Sequence, residues 1–159
     1  MEQNSNRSVK TQVEDMLRST GLDIAEQLIA GLNQSNYYSA HCFSHHHYPG
    51  GLAKHSLGVA QILLDNEKLQ KKYDRSDLII AGLFHDVCKA DHPGWRGIMR
   101  GHHGKRSVHI LGDYFHFHLN DDVHEAIRNH MHCPTTEQAK RNPLWGAIRP
   151  ADHKDAARG

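Results

Sequence analysis

His85 and Asp86 sit side by side at the end of the apolar run LIIAGLF, and they offer the most chemistry in the chain. His55 precedes them, and His103, His130 and Asp152 follow. Imidazole and carboxylate are the side chains that hold Fe, Mn, Co, Ni or Zn, and carboxylates also admit Mg. An adjacent His-Asp at a helix end, joined by His and Asp from later helices, can build a site for one or two divalent ions. A charged pair ending a buried helix is costly unless it is paired or ligated. Asp86 has two oxygens and could bridge two ions. Lys89, one helical turn beyond, could neutralise a phosphate oxygen beside them. Of the 16 histidines, His116, His118, His124 and His153 carry no such signal and are expected on solvated surfaces.

The elements that must position these residues read as helices. Val9, Val13, Met16 and Leu17 have helical spacing, and Ile24, Leu28, Ile29 and Leu32 mark a second helix over about 23–32, with Ser19 or Thr20 as its cap. Residues 1–8 are polar and expected to be disordered. The His-rich stretch up to Pro49-Gly50-Gly51 reads as loop. Helices follow over 52–64, 77–89, 105–115, 121–130 and 143–157, and the fourth of the chain is apolar nearly all round, as befits a central buried helix. Asn120 is the expected cap of the 121–130 helix. No alternating strand pattern and no internal repeat occurs. The fold class is all-α, six to seven helices in a single domain over 1–159, with N-terminal helices and loop over 9–44 and a core over 45–157.

Lys and Arg (19) nearly balance Asp and Glu (18), for a net charge of +1, so no global footprint for nucleic acid is present. Mean hydropathy is −0.69, and no apolar run approaches the ~18 residues of a membrane span. The N-terminus has no secretory h-region, so a cytoplasmic location is the default expectation. Three widely spaced cysteines, without CxxC, argue against a disulfide framework or a Cys-type zinc finger. Cys88 reads as a small core hydrophobe.

The segments KHSLGVA, GLFHDVCK, HGKRSVHIL, AIRNHMH and ADHKDA, taken together from about His45 to Ala156, resemble the HD-domain metal-dependent phosphohydrolases, whose ligands run H…HD…H…H…D. The resemblance implies a helical bundle around a central metal site. It implies that His55, His85, Asp86 and Asp152 hold a first metal, and that Asp86 bridges to a second held by His103 and His130. His45 and His46 match a His pair that precedes a GGL turn in a bacterial and phage subgroup containing exoribonucleases. The chain departs from the cyclic-dinucleotide phosphodiesterases of the superfamily. They have paired His where this chain has His130-Met131, and a GYP signature that is absent here.

The implied chemistry is water attack on phosphorus assisted by the metals, with no side-chain nucleophile. No GxSxG and no P-loop offers another route. Catalytic roles fall to Asp86 and Lys89. Substrate contacts are expected from Lys89, from Lys105 and Arg106 at a helix start that favours anions, and from His46. Lys105 and Arg106 could equally be a solvated face. Trp95 could stack on a nucleotide as the loop from His92 to Arg100 closes, or pack under that loop. His45 and His46 could line the pocket, add a ligand, or be incidental. The expected partner is a small phosphorylated molecule, a nucleotide first. A nuclease acting on nucleic acid and a non-catalytic metal- or nucleotide-binding module are the alternatives, and no membrane partner is expected.

Overall fold

A computed structural model describes residues 7–42 and 45–159. Among them the chain forms nine α-helices and no strand. These are α1 (Val9–Ser19), α2 (Ala25–Gln34), α3 (Gly51–Leu64), α4 (Glu67–Lys72), α5 (Arg75–Phe84), α6 (His103–His109), α7 (Asp121–Arg128), α8 (Thr136–Arg141) and α9 (Pro143–Ala156). A 3₁₀ turn, Val87–Lys89, follows α5, and a π turn, Ile110–Tyr114, prolongs α6.

The all-α expectation holds, with two additional short helices. Both are marked by caps rather than by apolar periodicity. The Asn66 side chain accepts from the Leu69 N–H to start α4, and Thr135 with Gln138 forms a capping box on α8. Ser8 caps α1 through the Thr11 N–H, so the expected frayed start does not extend to it. Residues 1–6 lie outside the described residues. Ser19 and Thr20 do not cap α2. Their hydroxyls turn back onto the Met16 and Leu17 carbonyls and close α1 instead.

α3 and α5 form the closest pair, and α9 packs across α3 and α7 while α6 lies on α7. Leu78 through Phe84 of α5 are all buried, as a helix apolar on every side requires. Gly82 makes the α3–α5 crossing possible, because a Cβ there would overlap the Ala60 backbone. The Tyr37 hydroxyl donates to the Leu83 carbonyl at 2.8 Å and ties the segment after α2 to the end of α5.

α5 stops five residues before the expected Lys89. Asp86 leaves helical geometry, with φ −113° and ψ 16°, before the 3₁₀ turn begins. α7 likewise ends at Arg128, so His130 lies in the turn beyond it. The sequence pattern carried on past both ends because apolar spacing alone does not mark a helix stop.

Gly82→Ala is expected to destabilise the fold by about 1–3 kcal/mol through overpacking against α3. Gly97, whose added Cβ would meet nothing within 4 Å, is the control, and Gly97→Ala is expected to stay within ~0.5 kcal/mol in urea unfolding.

Candidate metal centre

The six expected ligand residues converge in the middle of the bundle. His55 comes from α3, His85 is the residue closing α5, Asp86 begins the 3₁₀ turn, His103 opens α6, His130 follows α7, and Asp152 projects from α9. His55, His85 and His130 are fully buried and Asp86 is 2% exposed.

Two of the imidazoles are held the same way. His85 Nδ1–H donates to the Gly82 carbonyl at 2.8 Å, and His130 Nδ1–H donates to the Ile127 carbonyl at 2.7 Å. Both carbonyls belong to last helical turns, where backbone acceptors have no helical donor. A carbonyl can only accept, so Nδ1 carries the proton and Nε2 is left as a lone-pair donor aimed inward. His55 is anchored by a carboxylate instead, with Nδ1 2.8 Å from Asp155 Oδ2.

Asp86 divides its two oxygens. Oδ2 lies 3.3 Å from His85 Nε2 and 3.7 Å from His55 Nε2, whereas Oδ1 lies 2.5 Å from His103 Nε2 and 3.2 Å from His130 Nε2. Asp152 Oδ1 joins the first set, 2.7 Å from His55 Nε2 and 3.3 Å from His85 Nε2. The donors therefore fall into two groups that share Asp86: His55, His85, Asp86 and Asp152 in one, and Asp86, His103 and His130 in the other.

This donor set fits divalent metal. His130 Nε2 is buried and has no hydrogen-bond partner among the described residues, even though Asp86 is close. Imidazole with carboxylate suits borderline divalent ions. Without metal, protons take over the charge. Burial opposes a charge on His85, but Asp86 and Asp152 outweigh it and push its pKa up to about 10. His55 is raised by Asp152 and Asp155 against the same burial penalty. Burial also works against ionised Asp86 and Asp152, yet the neighbouring imidazoles hold both below the usual carboxylate range.

Residues 52–156 match the family model described as HD domain. The chain belongs to the HD-domain family. His85-Asp86 is the pair that names it, and the metal-dependent phosphohydrolase superfamily identified from the motifs is the right one. No curated protein and no solved structure matches the chain. His45, His46 and the helices before them precede the matched HD segment.

Beyond the HD ligands, the expected substrate contacts separate. Lys89 Nζ lies 3.2 Å from Asp86 Oδ2. His46 is buried behind His55, with Nε2 3.3 Å from Asp155 Oδ2, and it holds a positive φ of 45°. His45 keeps one edge against His55, ring centres 4.3 Å apart. Trp95 does not face a ligand. It is fully buried, stacked on His92 and packed near Phe115. Its loop is tied to the segment after α2 by a reciprocal pair between Asn36 and Asp91, and Arg96 pairs with Asp91 inside it. Arg106 Nε donates to the Gly101 carbonyl, and Lys105 stands about 200° around α6 from His103, so it points away from the centre. His116, His118, His124 and His153 are exposed as expected, and His102, next to His103, caps α6.

Two participants were not foreseen. Asp155 fixes His55, and its signal was its place one turn after Asp152 on the same face of α9. Cys88, expected to be only a core filler, has its Sγ 2.9 Å from His103 Nδ1 and 3.3 Å from the His103 carbonyl oxygen. Burial pushes the thiol up to about 12, so it stays protonated. Sγ accepts from Nδ1–H while S–H donates to the carbonyl, and the ring is held with Nε2 toward Asp86.

Metal uptake is expected to release protons, because His85 must lose the one it holds up to about pH 10. Affinity therefore rises with pH across the neutral range, and calorimetry in buffers of different ionisation heat measures the released protons. His103→Ala is expected to lose one ion of two by elemental analysis. Cys88→Ala is expected to weaken that same ion about 10–100-fold and Cys88→Ser less.

Proposed function

We propose that the protein is a phosphohydrolase that cleaves a phosphoester of a small phosphorylated molecule, a nucleotide first, at a binuclear centre. The observation that supports this most is the division of Asp86, one oxygen toward His55 and His85 and the other toward His103 and His130. A single carboxylate between two imidazole sets is what two closely spaced divalent ions require.

When bound, such ions supply Lewis-acid polarisation of a phosphoryl oxygen and an activated water. The chain's own groups do the rest. Asp86, Asp152 and the four imidazoles fix the donor geometry. The Nδ1 bonds to Gly82, Ile127, Asp155 and Cys88 keep each Nε2 in place without reorganisation. Of the six candidate ligands His103 is the most exposed, with 26% of its side chain accessible against 11% for Asp152 and 0% for His55, His85 and His130, and Lys89 beside it is 13% exposed. Substrate approaches from there. Lys89, already against Asp86, is placed to meet a non-bridging phosphate oxygen and to balance charge as the bond breaks.

The test is a phosphate-release screen over nucleotides and generic phosphoesters with added Mn, Co, Ni or Mg, on protein of measured metal content. About two ions per chain with turnover of a mononucleotide or simple ester is the expected result. Ions without turnover of any small ester would favour a nucleic-acid substrate or a binding module. Asp86→Ala is expected to abolish turnover and remove both ions. Lys89→Ala is expected to keep the ions and lower kcat/KM about 10²-fold.

A further inference from the structure

The two donor groups that share Asp86 are not equal. The first, His55, His85, Asp86 and Asp152, has four donor residues, two of them carboxylates. The second, Asp86, His103 and His130, has three and brings only the shared carboxylate. Four donors close a tetrahedral shell, whereas three leave a position open. The groups behind the imidazoles differ in the same sense. His55 Nδ1–H donates to the Asp155 carboxylate at 2.8 Å, while His103 Nδ1–H faces the uncharged Cys88 thiol at 2.9 Å. A carboxylate behind an imidazole raises its basicity as a ligand, and a neutral thiol brings no charge to do so. Exposure follows the same order. The His55 and His85 side chains are closed to solvent, and that of His103 is the most open of the set.

Two features weigh the other way. Lys89 Nζ lies 3.2 Å from Asp86 Oδ2, the oxygen that faces the first group. His130 Nε2, in the second group, is buried without a hydrogen-bond partner among the described residues. Neither reverses the order. One lysine stands against the charges of Asp152 and Asp155, both buried, as well as that of Asp86. A single neutral lone pair costs less to leave empty than buried carboxylate charge does.

We infer that the two positions fill in order, the first group at low free metal and the second only weakly, with a phosphate oxygen of the substrate completing the second. The word substrate rests on the phosphohydrolase reading, whereas the order of filling follows from the donors alone. The protein then holds one ion at limiting metal. It becomes binuclear where free metal is high or where a phosphorylated ligand is present. Linkage makes the coupling equal in both directions, so the second ion tightens the ligand as much as the ligand tightens the ion.

The experiment dialyses the full, metal-loaded chain against buffers of graded free Co(II), with and without methylphosphonate, which cannot be hydrolysed. Elemental analysis reads the ions per chain. Two steps are expected, separated by about 100-fold in free metal. Methylphosphonate is expected to move the weak step about 10-fold toward lower metal and to leave the tight step in place. His103→Ala is expected to remove the weak step and keep the tight one. Asp155→Asn is expected to weaken the tight step about 10-fold or more. Two ions taken up in a single step, a tight step lost in His103→Ala, or a weak step that methylphosphonate does not move each overturns the inference. Because occupancy is read without turnover, a protein that fills in this order and responds to methylphosphonate yet cleaves no phosphoester keeps the order of filling and overturns the phosphohydrolase reading alone.

Discussion

The structure depends on one buried carboxylate. Asp86, 2% exposed, cannot remain ionised in the middle of a bundle unless positive charge surrounds it. Four imidazole nitrogens lie within 3.7 Å of its two oxygens, and Lys89 reaches one of them. Their chain positions span α3 to the turn beyond α7, so satisfying this one group fixes how those helices meet. Asp152 adds a second buried negative charge from α9 and draws the last helix into the same arrangement. Protons can balance these charges, but divalent ions do so with the charge and the ligand chemistry that the donors favour.

Helix ends supply the ligands. A last turn exposes carbonyls without helical donors, and His85 and His130 each use one to hold Nδ1–H. The same bond satisfies the helix and selects the tautomer. This is why α5 has to stop at Phe84 and α7 at Arg128. A further helical turn would carry the histidine around the axis, away from the carbonyl it now uses. His103 has no such carbonyl because it opens a helix, and the Cys88 thiol takes that part.

Close backbone approach brings the ends within reach. Gly82 lets α5 lie against Ala60 of α3, and Gly58 leaves room on α3 for the Asp155 carboxylate, which a Cβ there would strike. The second contact places Asp155 where it can hold His55 and touch His46. The His46 backbone, with φ of 45°, is strained to sit there.

The sequence by itself determined the all-α class, the central apolar helix and the six donor residues. Donor chemistry is a property of residue type, and helical periodicity is local. The short helices α4 and α8 were not read from it, because their signals are the caps at Asn66 and Thr135 and apolar spacing passes over such short elements. Which way a side chain turns was not local. Trp95 had the composition of a stacking platform, but the pairing of Asn36 with Asp91 and the apolar space near Phe115 drew it inside. Lys105 and Arg106 shared a helix with His103, yet the helical rotation turned Lys105 away and the Gly101 carbonyl took up Arg106. Asp155 and Cys88 became parts of the site only through contacts 100 and 15 residues away in sequence. Only the tertiary structure decided these roles, because a hydrogen bond depends on where its partner lies in space, and the packing of α3 and α9 set that position.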